Sequence, residues 1–209
     1  MPPREIAGPA GRLEALLEEP AAEAPARAAV VLAHPHPKYG GTMHTKTVYQ
    51  SAKAFARIGC AVVRFNFRGG GAGDGGFDDG SDEMDDFRGV LDFAQARYPS
   101  TPIWAAGMSF GSWIATTVGV EDPRVTTLIG IAMPVNRYDF EPVTRSIKPK
   151  FFIHGGFDEV CSVKEIRAFY ARSAEPKELA VIDAADHLFD GKVSEVADAI
   201  EDLLSDWSA

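Results

Sequence analysis

Several things are scarce in this chain of 209 residues. It has two cysteines, Cys60 and Cys161, so no framework of disulfides staples it and a reducing compartment suits it. No apolar run approaches the ~18 residues of a membrane-spanning helix, and the first residues hold no apolar segment of signal-peptide length. We therefore expect a soluble, cytoplasmic protein that does not engage a membrane. Positive charge is short as well: 21 Lys and Arg stand against 30 Asp and Glu, a net charge of −9. That balance disfavours nucleic acid and anionic lipid as partners. Internal repeats and domain linkers are also missing. What remains is ordinary globular material, 45% hydrophobic and 24% charged, enough to bury one sizeable core. We expect a single domain over residues 1–209.

Beyond residue 28 the chain alternates. Val/Ile/Phe-rich runs at 28–33, 61–67, 103–106, 125–132, 150–154 and 178–182 predict strands. They are apolar on both faces, as in a covered parallel sheet. Between them, 42–58, 81–97, 110–120, 163–173 and 193–207 predict helices, with apolar residues three and four apart, such as Val193, Val196, Ala197, Ile200 and Leu204. The fold class is therefore α/β, a mostly parallel twisted sheet with helices on both faces. The N-terminal part is ambiguous. Gly8-Pro9-Ala10-Gly11 signals a hairpin turn, yet Leu13, Leu16 and Leu17 also fit a short helix. The Ala/Pro/Glu-rich residues 20–25 predict a surface loop.

The most informative stretch is Gly107-Met108-Ser109-Phe110-Gly111. It reads G-x-S-x-G and joins a strand-like run to a helix-like one. On so sharp a turn the serine hydroxyl stands out from the sheet, the glycines admit neighbouring backbone, and the helix N-terminus faces any developing negative charge. A Gly-rich turn whose serine only caps a helix gives the same five letters, so a base and an acid must be found. Two later strand ends supply them. Run 150–154 leads into Gly155-Gly156-Phe157-Asp158, and run 178–182 leads to Asp186-His187. In an open parallel sheet, functional groups gather beyond the carboxyl ends of the strands. Ser109 as nucleophile, His187 as base and Asp158 as the acid orienting it follow in the order expected of a nucleophile elbow. Asp183 and Asp186 are rival acids, but they follow the histidine's own strand.

Acyl transfer also needs donors for an oxyanion. The backbone N–H of Phe110 is one. The loop after the first parallel strand, His34-Pro35-His36-Pro37-Lys38-Tyr39-Gly40-Gly41, offers the other. Its prolines lack an N–H, which leaves His36 as the natural donor. His34 and His36 also suggest metal, but no third ligand follows at a recognisable spacing, so no metal is expected. His44 lies on the next helix and lines the site at most. A second distractor is Gly71-x-Gly73-x-x-Gly76, which superficially matches a dinucleotide fingerprint and would make the chain a nicotinamide-dependent oxidoreductase. Carboxylates at Asp78, Asp79, Asp82 and Glu83 follow where a pyrophosphate-binding helix should open. A flexible loop before a helix starting at Ser81 is the better reading, and no cofactor is expected.

Taken together, His34-Pro35-His36-Pro37…Gly40-Gly41-Thr42-Met43, Arg64-Phe65-Asn66-Phe67-Arg68-Gly69, the G-x-S-x-G elbow, His154-Gly155…Asp158 and Asp186-His187 resemble the α/β-hydrolase superfamily. They are most similar to its small lidless bacterial serine hydrolases, near the dienelactone-hydrolase-like proteins. The resemblance implies the catalytic set Ser109, Asp158 and His187, with oxyanion donors His36 and Phe110. Dienelactone hydrolases proper carry cysteine at the elbow. Serine here implies ordinary ester hydrolysis through an acyl-enzyme. Only residues 134–149 stand where larger relatives insert a cap, so an open cleft without a lid domain is expected, acting on short acyl esters. Tyr39, Met43, Met108, Phe140, Phe157 and Phe189 are candidate substrate-binding walls. A thioesterase or small peptidase with the same triad, or a non-catalytic binding protein on the same fold, are the alternatives. A homodimer could cover apolar surface near the cleft.

Overall fold

A computed structural model describes residues 4–20, 25–70, 76, 78 and 80–207. The loop predicted at 20–25 and the glycines Gly71 and Gly73 fall largely or wholly outside these residues. The described residues form one eight-stranded sheet in the order β1-β2-β4-β3-β5-β6-β7-β8. Strands β1 (Arg4–Gly8) and β2 (Gly11–Glu18) make an antiparallel hairpin. The helical alternative for Leu13–Leu17 fails because burial has period two: Leu13, Ala15 and Leu17 are buried, and the residues between them are not. β2 pairs antiparallel with β4 (Ala61–Phe65). From β4 onward every pairing is parallel, through β3 (Ala29–Ala33), β5 (Ile103–Met108), β6 (Val125–Ile131), β7 (Lys150–Gly155) and β8 (Lys177–Ile182).

Two hydrophobic cores lie on opposite faces, and β3 shows how alternation feeds both. Ala29, Val31 and Ala33 enter one core, and Val30 and Leu32 the other. On the first face pack α2 (Ser81–Arg97), α3 (Phe110–Glu121), the five-residue α4 (Glu141–Arg145) and α5 (Val163–Arg172). On the second, α1 (Lys46–Arg57) lies against α6 (Val193–Leu204), with Val48, Phe55, Val196 and Ile200 in contact with the sheet. The predicted start of α1 at residue 42 is too early: a Thr42–Thr45 turn precedes it. α2 begins at Ser81, where the Glu83 carboxylate accepts from the backbone N–H of Gly80 (2.6 Å) and Asp78 (3.1 Å).

The chain runs from β3 to β4 on one side and then to β5 on the other. The loops after β3 and β5 therefore diverge and leave a crevice at the switch point. Between β6 and β7 the only helix is α4, which packs on α3 and α5 rather than across this crevice. Among the described residues no helix is long and apolar enough to cross a membrane.

Candidate active site

Close packing makes the elbow. Ser109 has φ 53° and ψ −121°, a region costly for a residue with a Cβ. Its N–H is tied to the Ile131 carbonyl at 2.9 Å. A Cβ on Gly107 would sit 2.1 Å from the Gly111 carbonyl oxygen, and one on Gly111 would sit 2.4 Å from that of His34. No side chain fits at either position, which is why the motif reads glycine on both flanks. The contact to His34 also seats the elbow against the loop after β3.

That loop is rigid. His34 is buried, with Nδ1 donating to the Pro35 carbonyl (2.6 Å) and Nε2 accepting from the Phe67 N–H (3.2 Å). Burial lowers its pKa to about 4, so it stays neutral with both ring nitrogens in use. The His36 carbonyl accepts from the N–H groups of Tyr39 and Gly41, each at 3.1 Å, and its ring packs 4.8 Å from that of Phe110. The two residues proposed as oxyanion donors thus stand side by side. His44 is exposed, ahead of α1, and borders a separate shallow hollow.

The acid loop follows β7. Asp158 is buried and its carboxylate is divided in use. Oδ1 accepts from the N–H groups of Val160 (2.8 Å) and Cys161 (2.9 Å), and Oδ2 accepts from His187 Nδ1 (2.8 Å). Burial by itself raises this carboxyl's pKa. The bonds from His187 and Cys161, with the nearby imidazoles, outweigh it and hold the group below the usual carboxylate range. His154 is wholly buried. Its Nε2 donates to the Cys161 carbonyl (2.7 Å) and lies 3.5 Å from Asp158 Oδ2, while burial lowers its pKa. The base loop crosses the acid loop so closely that a Cβ on Gly155 would lie 2.5 Å from the Ala185 carbonyl oxygen. Asp186 only caps its own turn, accepting from Leu188 and Asp190 N–H. On the far side of the imidazole, Ser109 Oγ lies 2.8 Å from His187 Nε2. Ser109, His187 and Asp158 therefore form one hydrogen-bonded chain on one rim of the sheet. Neither cysteine rivals the serine: both are buried, and desolvation pushes the Cys60 and Cys161 thiols up to about 12 and about 11.

A family model described as "Serine aminopeptidase, S33" matches residues 24–146. The chain belongs to this family, within the α/β-hydrolases. It is also similar, along nearly its whole length, to solved structures of this fold. An α/β serine hydrolase homologue from Coxiella burnetii is 34% identical, with 97% of each chain covered and a TM-score of 0.92. A serine hydrolase without lid from Xanthomonas campestris is 30% identical, covering 96% of this chain and 92% of that one, with a TM-score of 0.89. An uncharacterized protein from Rickettsia prowazekii is 33% identical over 213 residues, 98% of this chain and 89% of its own length.

The hydrolase cleft around Ser109 has a volume of about 310 Å³. Pro35, His36 and Tyr39 form one side, and Ser109 and Phe110 the floor. Pro134, Arg137 and Tyr138 come from the connection after β6, and Glu159, Val160, His187 and Leu188 from the acid and base loops. Of the predicted wall residues only Tyr39 borders it. Met108 and Phe189 are fully buried in the hydrophobic core on the α1/α6 face, Met43 is fully buried as well, and Phe140 packs edge-on against Phe169. Phe157 is 72% exposed and does not line the cleft. Four of these five stand in or beside a motif and Phe140 in the stretch that replaces a cap, and such a position says nothing about which way a side chain turns. Tyr138 was missed. Its ring stacks on Trp113 (4.6 Å, 14° between planes) and meets the edge of Phe110 (5.8 Å). An aromatic in the short stretch that replaces a cap was the available signal.

Proposed function

We propose that this hydrolase is a serine esterase that cleaves short acyl esters through an acyl-enzyme. The observation that carries the reading is the unbroken chain Ser109 Oγ to His187 Nε2 and His187 Nδ1 to Asp158 Oδ2, both links 2.8 Å long. Neutral His187 takes the Ser109 proton as Oγ attacks the ester carbonyl, and returns it to the departing alkoxide. Asp158 fixes the tautomer and stabilises the imidazolium in between. The backbone N–H groups of Phe110 and His36 receive the oxyanion, each typically worth ~3 kcal/mol of barrier. Water then repeats the sequence on the acyl-enzyme. A cleft of about 310 Å³, near the lower end for small-molecule sites, supports a short acyl group. The family's description as a serine aminopeptidase favours amide cleavage as the second reading.

The test has two parts. Fluorophosphonate labelling followed by peptide mass mapping should modify Ser109 in folded protein, and an unlabelled Ser109 overturns the nucleophile. Turnover of p-nitrophenyl esters of rising chain length, acyl thioesters and aminoacyl anilides should then rank short esters first. Dominant thioester or anilide turnover moves the enzyme to the corresponding class.

A further inference from the structure

The esterase reading describes the reacting bond, and the cleft also bears on what the rest of the substrate carries. Its walls are largely apolar, with Tyr39, Phe110, Tyr138 and Leu188 prominent, and two charged side chains interrupt them, Arg137 and Glu159. Their situations differ. Glu159 turns toward the base loop, where Oε2 accepts from the His187 backbone N–H (3.3 Å). Arg137 sits on a fixed loop: its own N–H donates to the Pro134 carbonyl (2.9 Å), and its neighbour Asn136 donates to the Val160 carbonyl (3.0 Å). Yet its guanidinium makes no hydrogen bond or ion pair among the described residues. Exposed Arg12, Arg57 and Arg145 each hold a carboxylate, whereas exposed Arg167 and Arg172 of α5 hold none among the described residues, so what sets Arg137 apart is its place in the cleft wall beside Ser109. In a chain with 30 acidic residues, one arginine at the mouth of the nucleophile's cleft is left with five N–H donors unspent.

We propose that Arg137 is a specificity residue that receives a carboxylate on the substrate, so that the preferred substrates are anionic esters such as hemiesters of short dicarboxylic acids. This rests on the esterase reading. Planar guanidinium matches carboxylate in a two-bond fork. Two opposing effects must be weighed. The protein's net charge of −9 repels an anion at long range, but charges beyond ~10 Å are largely screened at ordinary salt, whereas the fork acts at contact. Glu159 repels the same carboxylate nearby and so directs it to the Arg137 side. A charge-assisted fork at a half-open site gives about a tenfold preference.

The experiment compares kcat/KM for matched pairs. The p-nitrophenyl hemiester of glutaric acid is set against the analogue in which an isopropyl group replaces the far carboxylate. A second pair carries the carboxylate on the alcohol side, as an acyloxybenzoate against the acyloxytoluene. The wild-type protein should favour the anionic member of at least one pair by about tenfold, chiefly through KM, and added salt should erode the preference. Arg137→Gln should bring the ratio near unity, Arg137→Lys should keep part of it, and Arg137→Glu should invert it. If Ser109 labels and neutral esters turn over while both ratios stay near unity, the Arg137 assignment is overturned and the esterase reading stands. The same holds if the preference survives in Arg137→Gln. Absence of both labelling and turnover overturns the two together.

Discussion

Asp158→Asn changes charge and hydrogen-bonding sense while nearly preserving shape. The turn needs an oxygen where Oδ1 now takes the Val160 and Cys161 N–H groups. An asparagine that keeps its oxygen there presents its NH₂ to His187 Nδ1 and to His154 Nε2, which already donates to the Cys161 carbonyl. His187 must then carry its proton on Nε2. That nitrogen can donate to Ser109 Oγ but cannot accept from it, so the base is disabled while the fold survives. A wrong tautomer of this kind costs about 10⁴ in kcat, or ~5 kcal/mol of barrier. The effect on stability is far smaller. Two charged acceptor bonds become neutral ones, a difference of about 1 kcal/mol, and the buried site loses a charge it had to desolvate. A change of that size moves the melting temperature by about 2–4 °C in a chain of this length. Initial rates on p-nitrophenyl acetate and the rate of fluorophosphonate labelling read the first quantity, and circular dichroism melting reads the second. A folded variant with a rate loss under about tenfold would refute the assigned role of Asp158. So would a rate loss matched by wholesale unfolding, since the reasoning separates the two.

Three further outcomes follow from the same geometry. His34 binds a proton less readily folded (pKa about 4) than unfolded (6.5). The unfolded chain therefore holds more protons between these values, and stability falls as pH drops through that window by up to about 3 kcal/mol; melting curves from neutral pH downward should show this, and His34→Gln should flatten the slope. At the elbow, φ 53° and ψ −121° suit glycine better than alanine, so Ser109→Gly should be about 1 kcal/mol more stable than Ser109→Ala in urea unfolding, with turnover lost in both. Alanine scanning of glycines should split in sign: Gly111→Ala places a methyl 2.4 Å from backbone oxygen and should cost at least about 3 kcal/mol, whereas Gly89→Ala, inside α2 with nothing nearer than 3.5 Å, should gain about 0.5–1 kcal/mol.

The parts of this molecule legible in its sequence were those governed by periodicity and chain order. Apolar runs gave the parallel strands to within a residue or two, because strands covered on both faces leave no room for polar interruptions. Ser109, Asp158 and His187 could be chosen because a parallel sheet sends successive strand ends to one rim. The hairpin was harder: Leu16 between Leu13 and Leu17 mimics a helical spacing, and only the pairing of β2 with β1 and β4, which buries every second residue, decides for the strand. The cleft walls were not legible. Met108 precedes the nucleophile and Phe189 follows the base by two, but strand alternation and the turn at Phe189 (φ 58°) send both into the core on the α1/α6 face. Arg137 and Tyr138 enter the cleft from a loop whose path depends on the Trp113 stack and the Asn136–Val160 bond, contacts far apart in sequence.

Part of the set of motifs that resembles the superfamily does little chemistry itself. Arg64 and Asn66, in the Arg64–Gly69 run, act on the loop after β3. Arg64 donates to the Met43 carbonyl (2.6 Å), and Asn66 Oδ1 accepts from the Met43 N–H (2.9 Å). Both are anchored in turn by carboxylates of β2, Glu18 for Arg64 (2.6 Å) and Glu14 for Asn66 (2.9 Å). His34 clasps the Phe67 N–H from the other end of the loop, and Gly111 backs onto the His34 carbonyl. The segment bearing His36 is thereby held at both ends and from below. An oxyanion donor lowers a barrier only if it need not move when charge develops, and a loop with two prolines pinned at three points meets that condition. Arg64 of β4 and Asn66 just beyond it thus brace the loop that bears His36, and Glu14 and Glu18 of β2 tie that brace to the antiparallel hairpin, with Glu18 also accepting from Lys53 (2.7 Å).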